Sequence, residues 1–109
     1  MAKTKTISVA KDYTDEPAGR FPADGDFNGE RFRKEFLLPA LRESEKVIVD
    51  FDGTEGYGSS FLDEAFGGLV RDEGFGAADL RAKLEITSKE DPTVSTEVWG
   101  YIEDAKSRE

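Results

Sequence analysis

The sequence predicts an α/β fold: a small domain with a mostly parallel or mixed sheet of about four strands and about three helices. Three observations carry this reading. Strand-like and helix-like segments alternate along the 109 residues. The central run Val47, Ile48, Val49 and Phe51 is apolar and β-branched, as in a strand buried on both faces. The segments between strand-like runs are long enough to carry right-handed crossover helices.

In chain order, Thr6 to Ala10 alternates and is β-branched, which gives a first strand with Ile7 and Val9 inward. A long loop follows over residues 11–27, rich in Pro, Gly and Asp, with room for a short strand at Arg20 to Pro22. Asn28 is placed as an N-cap. Phe32, Phe36, Leu37, Ala40 and Leu41 then recur at helical spacing. Pro39 lies inside this pattern and predicts a kink or an early end, because it has no N–H to donate.

The central strand leads into Gly53, Gly56 and Gly58, which allow a tight loop. Ser59 or Ser60 is expected to cap the next helix, with Asp63 and Glu64 favoured in its first turn by the helix dipole. Phe61, Leu62, Ala65, Phe66, Leu69 and Val70 make its inward stripe. Close packing on the sheet is the expected reason for Gly67 and Gly68 inside it, and Gly74 is expected to end it. Leu80, Ala82, Leu84 and Ile86 alternate with charges, which predicts a strand. Asp91–Pro92 then opens a last helix with Val94, Val98, Ile102 and Ala105 inward. Trp99 and Tyr101 flank that face, and the core is the favoured place for both.

The bulk numbers exclude several functions. Net charge is −9 and 36% of residues are charged, so phosphate-driven nucleic-acid binding is not expected. The basic clusters Lys3/Lys5 and Arg31/Arg33/Lys34 are small, and the second alternates with acids on a helix. There is no cysteine and no histidine, which removes disulfides, thiolate chemistry, the usual transition-metal ligands and histidine-based acid–base catalysis. A hydrophobic fraction of 37% with eight Phe, three Tyr and one Trp supports a folded core in one domain, 1–109. Met1 to Ala10 does not read as a signal peptide, and no run approaches the ~20 apolar residues of a membrane helix. A cytoplasmic, acidic protein with no cofactor and no membrane contact is expected.

Three motifs compete for function. Asp50-Phe51-Asp52-Gly53-Thr54 ends a hydrophobic strand and resembles the first motif of haloacid-dehalogenase-like phosphatases. That resemblance implies a magnesium-dependent phosphohydrolase with Asp50 as nucleophile and Asp52 as acid/base. Only five residues carry it, and a strand and a helix precede it. Lys83 is poorly placed for the lysine that the family uses. Asp24-Gly25-Asp26-Phe27-Asn28-Gly29, with Glu35 beyond, fits the oxygen-ligand spacing of a calcium loop. Pro17, Gly19 and Pro22 leave no entering helix, and Arg31 would bring a positive charge beside the ion. An acidic turn capped at Asn28 is the simpler reading.

The third motif joins Asp50-Phe51-Asp52-Gly53 to Gly58-Ser59-Ser60-Phe61-Leu62. It is similar to the core of STAS domains, the sulfate-transporter and anti-sigma-factor-antagonist domains. From Gly19-Arg20-Phe21, through Gly29 to Glu35, to Tyr57 through Leu69, the chain resembles a small bacterial family, the STAS-like domain of unknown function. The resemblance spans roughly residues 5–90 and implies a fold, not an activity. It also implies a protein partner with a histidine-kinase-like ATP-binding fold, and it places the phosphorylated serine of signalling STAS domains on Ser59, with Ser60 next to it. Gly58 and Phe61 stand where those domains carry Asp and Gly. The expected role is a non-enzymatic signal-transduction module. Gly53, Gly56, Tyr57, Gly58, Ser59, Ser60 and Leu62 would form its partner surface, and Ser59 or Ser60 its switch. The bland alternative is that both serines only cap the helix.

Overall fold

The computed structural model describes residues 3–105; Met1, Ala2 and 106–109, the ends of the expected domain span, lie outside the described residues. Three strands form one parallel sheet: β1 (Thr4–Ser8), β2 (Lys46–Asp50) and β3 (Leu84–Thr87), in the order β1-β2-β3. The register sets Ile7 beside Val49 and Val49 beside Ile86. Consecutive right-handed crossovers in this order bring both connections to one face. That face holds Ile7, Val47, Val49, Leu84 and Ile86, all buried. The alternate positions Thr6, Ile48 and Glu85 are exposed or half-buried. The expectation that β2 is buried on both faces is therefore corrected: one side of the sheet is open, and Lys46 pairs there with Glu85 at 3.5 Å.

Helix α1 covers 29–43, as Gly29–Phe32, a π-turn at Arg33–Leu37, and Leu38–Glu43. Asn28 caps it, its Oδ1 accepting from Arg31 N at 2.9 Å. Pro39 does not end it early. The Leu38 N–H reaches back five residues to the Arg33 carbonyl, and this wider turn lets the ladder pass the proline.

Helix α2 covers 59–71, also with a π-turn, at Asp63–Gly67. Its C-cap is Asp72, so Gly74 (φ 81°), expected at C′, turns the chain one residue beyond that position, and Phe75 N bonds Leu69 O there at 3.0 Å. Helices α1 and α2 cross closely: a Cβ on Gly29 would lie 2.7 Å from the Phe61 carbonyl oxygen. Phe32 packs there against Phe61 and Phe66, with ring centres 5.6 and 6.2 Å away.

Two further expectations are corrected. The alternating stretch 80–86 is split between helix α3 (Ala77–Lys83) and β3. Ala77, Leu80 and Leu84 recur at helical spacing, and Arg81 and Lys83 favour a helix C-terminus. Arg20 to Pro22 is not a strand; loop 11–27 instead carries the end of a π-turn at Val9–Tyr13 and a 3-10 turn at Pro22–Asp24. Helix α4 (Thr93–Asp104) starts as expected after Asp91–Pro92, with Asp91 Oδ1 accepting from Thr93 N at 3.1 Å. Val94, Val98 and Ile102 are buried, as is Trp99, under the Arg81 guanidinium at 4.1 Å.

Candidate functional site

The carboxyl end of β2 feeds a tightly clasped loop. Phe51 N continues the sheet by bonding Thr87 O at 2.9 Å, and Thr54 Oγ1 bonds back to Phe51 O at 2.8 Å. Asp52 Oδ1 accepts three bonds from the segment after β3: Ser88 Oγ at 3.0 Å, Lys89 N at 2.8 Å and Glu90 N at 2.9 Å. The Glu90 N–H, helped by Ser88 and Lys89, holds this carboxyl below its usual range. Gly53 turns the chain at φ 92°, a conformation side chains resist, and its N–H donates to Glu90 Oε1 at 2.8 Å.

The remainder of the tip is tied to loop 11–27. Glu55 N bonds Asp15 O at 2.7 Å, and Gly58 N bonds Pro17 O at 3.2 Å. Glu16, through a side-chain hydrogen bond, and Asp15 raise the Glu55 carboxyl above its ordinary value. Tyr57 stacks edge-on against Phe51 at 5.6 Å and donates its hydroxyl to Asp91. Burial, then Asp91, pushes the Tyr57 hydroxyl up to about 12.

Of the residues expected to meet a partner, Gly53, Gly56 and Ser59 are exposed, and Tyr57, Gly58 and Ser60 are half-buried. Leu62 is fully buried and is removed from the surface: it belongs to the apolar stripe of α2. The cap is also corrected. Gly58 is the N-cap, with no side-chain bond, and Ser59 and Ser60 are the first two helical residues. Their hydroxyls are thus not committed to the backbone as caps. They share a hollow of about 530 Å³ with Gly19, Arg20, Asp24 and Gly58. Tyr101 of α4 approaches Ser59; burial and Glu97 raise its hydroxyl, and a hydrogen bond with Ser59 lowers it.

Beneath the serines lies an ionic network that the sequence reading did not foresee. Arg20 Nη1 meets Asp63 Oδ2 at 2.8 Å, and Arg71 Nη1 meets Asp63 Oδ1 at 2.9 Å. Burial opposes the charge on Asp63, but Arg20 and Arg71 hold its carboxyl below the ordinary value. Arg33, part of the small basic cluster on α1, is 2% exposed. It donates to Glu64 O at 2.5 Å and Glu64 Oε2 at 2.9 Å, and to Glu73 Oε2 at 3.0 Å. Burial works against its charge; the bonds to Glu64 and Glu73 overcome that and raise it. Gly67 and Gly68 make room for this network rather than for the sheet. A Cβ on Gly68 would sit 2.8 Å from Arg33 Cζ, and one on Gly67 would sit 2.6 Å from Asp63 Oδ1.

The competing motifs have structural occupations. Asp52 clasps the 88–90 segment, Asp50 Oδ1 accepts from Asp52 N at 3.0 Å, and Lys83 Nζ donates to Leu41 O at 2.5 Å. In the acidic turn, Asp24 Oδ2 accepts from Arg20 N and Phe21 N, each at 3.1 Å. Asp26 O accepts from Arg31 Nη1 at 2.8 Å, and Glu35 pairs with Arg31 at 3.3 Å. Among the described residues no group of three or more carboxylates is placed to hold a metal ion. No helix among them is long and apolar enough to cross a membrane.

The parallel sheet, the helix opening on two serines and the clasped loop define a STAS-like α/β domain. Residues 28–94 match the family described as a STAS-like domain of unknown function, and the chain belongs to it. No curated protein and no solved structure matches the chain.

Proposed function

We propose that this chain is a non-enzymatic regulatory module, similar in role to an anti-sigma factor antagonist. It acts in the cytoplasm and docks a protein partner through residues 53–60. Gly53, Gly56, Tyr57 and Gly58 form the contact loop, and Ser59 or Ser60 is the switch. The partner carries a histidine-kinase-like ATP-binding fold, as the resemblance to signalling STAS domains implies. The observation that carries the reading is the pair of uncapped hydroxyls at the start of α2, with Ser59 exposed.

A phosphate on either serine adds about −1.5 to −2 charge at a helix N-terminus. The helix tolerates it, since free N–H groups and the dipole face it. A partner seated over Gly56 to Ser60 meets a bulky dianion and loses affinity. Incubation with ATP and a kinase of the histidine-kinase-like ATP-binding fold should label Ser59 or Ser60. Ser59→Ala should abolish partner release. Absence of label on both serines, together with no partner recovered by pull-down, overturns the reading.

A further inference from the structure

We propose that Arg20 is the residue that senses the state of Ser59 and Ser60, by exchanging its contact with Asp63 for a phosphate in the shared hollow. The inference rests on the reading of those serines as the switch. Arg20 lines the same hollow as both serines. Asp63 lies four residues after Ser59 and three after Ser60, which puts it beside them on the helix surface. A dianion at either hydroxyl therefore arises next to a guanidinium that already reaches across to Asp63 at 2.8 Å.

Asp63 keeps a second cation when Arg20 leaves. Arg71, from the same helix, holds its Oδ1 at 2.9 Å and its carbonyl at 3.0 Å. Of the two arginines, Arg20 is the looser: its side chain is 38% exposed against 18% for Arg71, and it stands on a loop. A phosphate offers it a doubly charged, bidentate partner in place of a shared carboxylate. The other groups facing the hollow are accounted for. Asp24 is turned to the Arg20 and Phe21 backbone, Glu64 is bound by Arg33 and lies 3.8 Å from Arg20, and the Tyr101 hydroxyl donates to Glu97 at 3.2 Å. Arg20 is thus the cation placed to offset the repulsion that Asp63 and Asp24 exert on a phosphate. Its movement would carry the Gly19–Asp24 turn, which presents the exposed Phe21.

In the covalent step, serine Oγ bonds to the γ-phosphorus of ATP as the bond from that phosphorus to the β–γ bridging oxygen breaks. ADP leaves, and the serine proton passes to the kinase or to water.

The test needs no kinase. The full chain is made with phosphoserine inserted during translation at position 59, and separately at position 60. The phosphate is then titrated by phosphorus NMR with Arg20, Arg20→Lys or Arg20→Gln. At one of the two positions the second ionisation should fall about 0.5 pH unit lower with Arg20 than with Arg20→Gln. Arg20→Lys should keep part of that shift, and the Phe21 amide signal should move on phosphorylation only when Arg20 is present. Equal midpoints for Arg20 and Arg20→Gln at both positions overturn the inference. A kinase that labels neither serine overturns the switch instead, and leaves this titration standing.

Discussion

Arg33 and Glu64 form an ion pair at 2.9 Å, with 3% of either side chain exposed, and it joins the π-turns of the two helices that carry the site. Such a pair is costly to break because either partner alone leaves a buried, uncompensated charge. Arg33→Met or Glu64→Leu should each cost about 3–5 kcal/mol in urea unfolding, and the double variant Arg33→Met/Glu64→Leu should cost less than the sum. Additive losses would show that the two groups act independently.

Gly68 and Gly100 both sit inside helices but should respond to alanine with opposite signs. A Cβ on Gly68 runs into the Arg33 guanidinium, whereas one on Gly100 meets nothing within 4 Å. Thermal unfolding should show Gly68→Ala losing about 1–3 kcal/mol and Gly100→Ala gaining up to about 1 kcal/mol.

Asp63 links the network to pH. Its folded value lies below the ordinary 3.8, so the unfolded state binds the proton more readily. Its contribution is present at neutral pH and is lost as pH falls from about 4 through the folded value. Asp63→Asn should be less stable at pH 7 and should lose less stability than the parent between pH 4 and pH 2.

Two tyrosines respond on the alkaline side, Tyr13 beside Asn28 and Tyr57 at the tip. Burial pushes Tyr13 to about 12, and burial with Asp91 pushes Tyr57 to about 12. These groups stabilise the fold fully below pH 10, and the contribution is lost as pH rises toward 12. Absorbance at 295 nm should show less than one of the three tyrosines ionised at pH 10 while the chain stays folded. Asp91→Asn should bring one tyrosine part of the way back toward 10.

Asp52→Asn separates the clasp from the phosphohydrolase alternative. Hydrogen exchange at the Lys89 and Glu90 amides should speed up, because their acceptor is weakened. A phosphate-ester assay should read the same for the parent, Asp50→Asn and Asp52→Asn.

The central strand and helices α1 and α2 were legible because period-two and period-3.6 patterns are local, whereas the sheet has three strands, not about four. Ile7, Val49, Leu62 and Leu69 fall on the buried side those patterns assign. The ionic network was not legible. Arg33 and Glu64 are 31 residues apart, and each reads as an ordinary surface charge until the helices cross. The glycines at 67 and 68 were the available trace, since two helix-weakening residues together imply that something occupies their side-chain space. The 77–83 helix was hidden by charges that happen to alternate with Leu80, Ala82 and Leu84. Position Leu62 shows the limit of a motif: the resemblance put it on the partner surface, but helical spacing turns it into the core.

Docking through the 53–60 tip is tested most directly by a photo-crosslinking residue at Gly56, with Thr6 on the open sheet face as control, in cells that express the chain. The proposed role predicts one protein adduct from position 56, carried by an ATP-binding partner, absent from position 6, and lost when position 59 holds phosphoserine. No adduct from position 56, or equal capture from both positions, would contradict it.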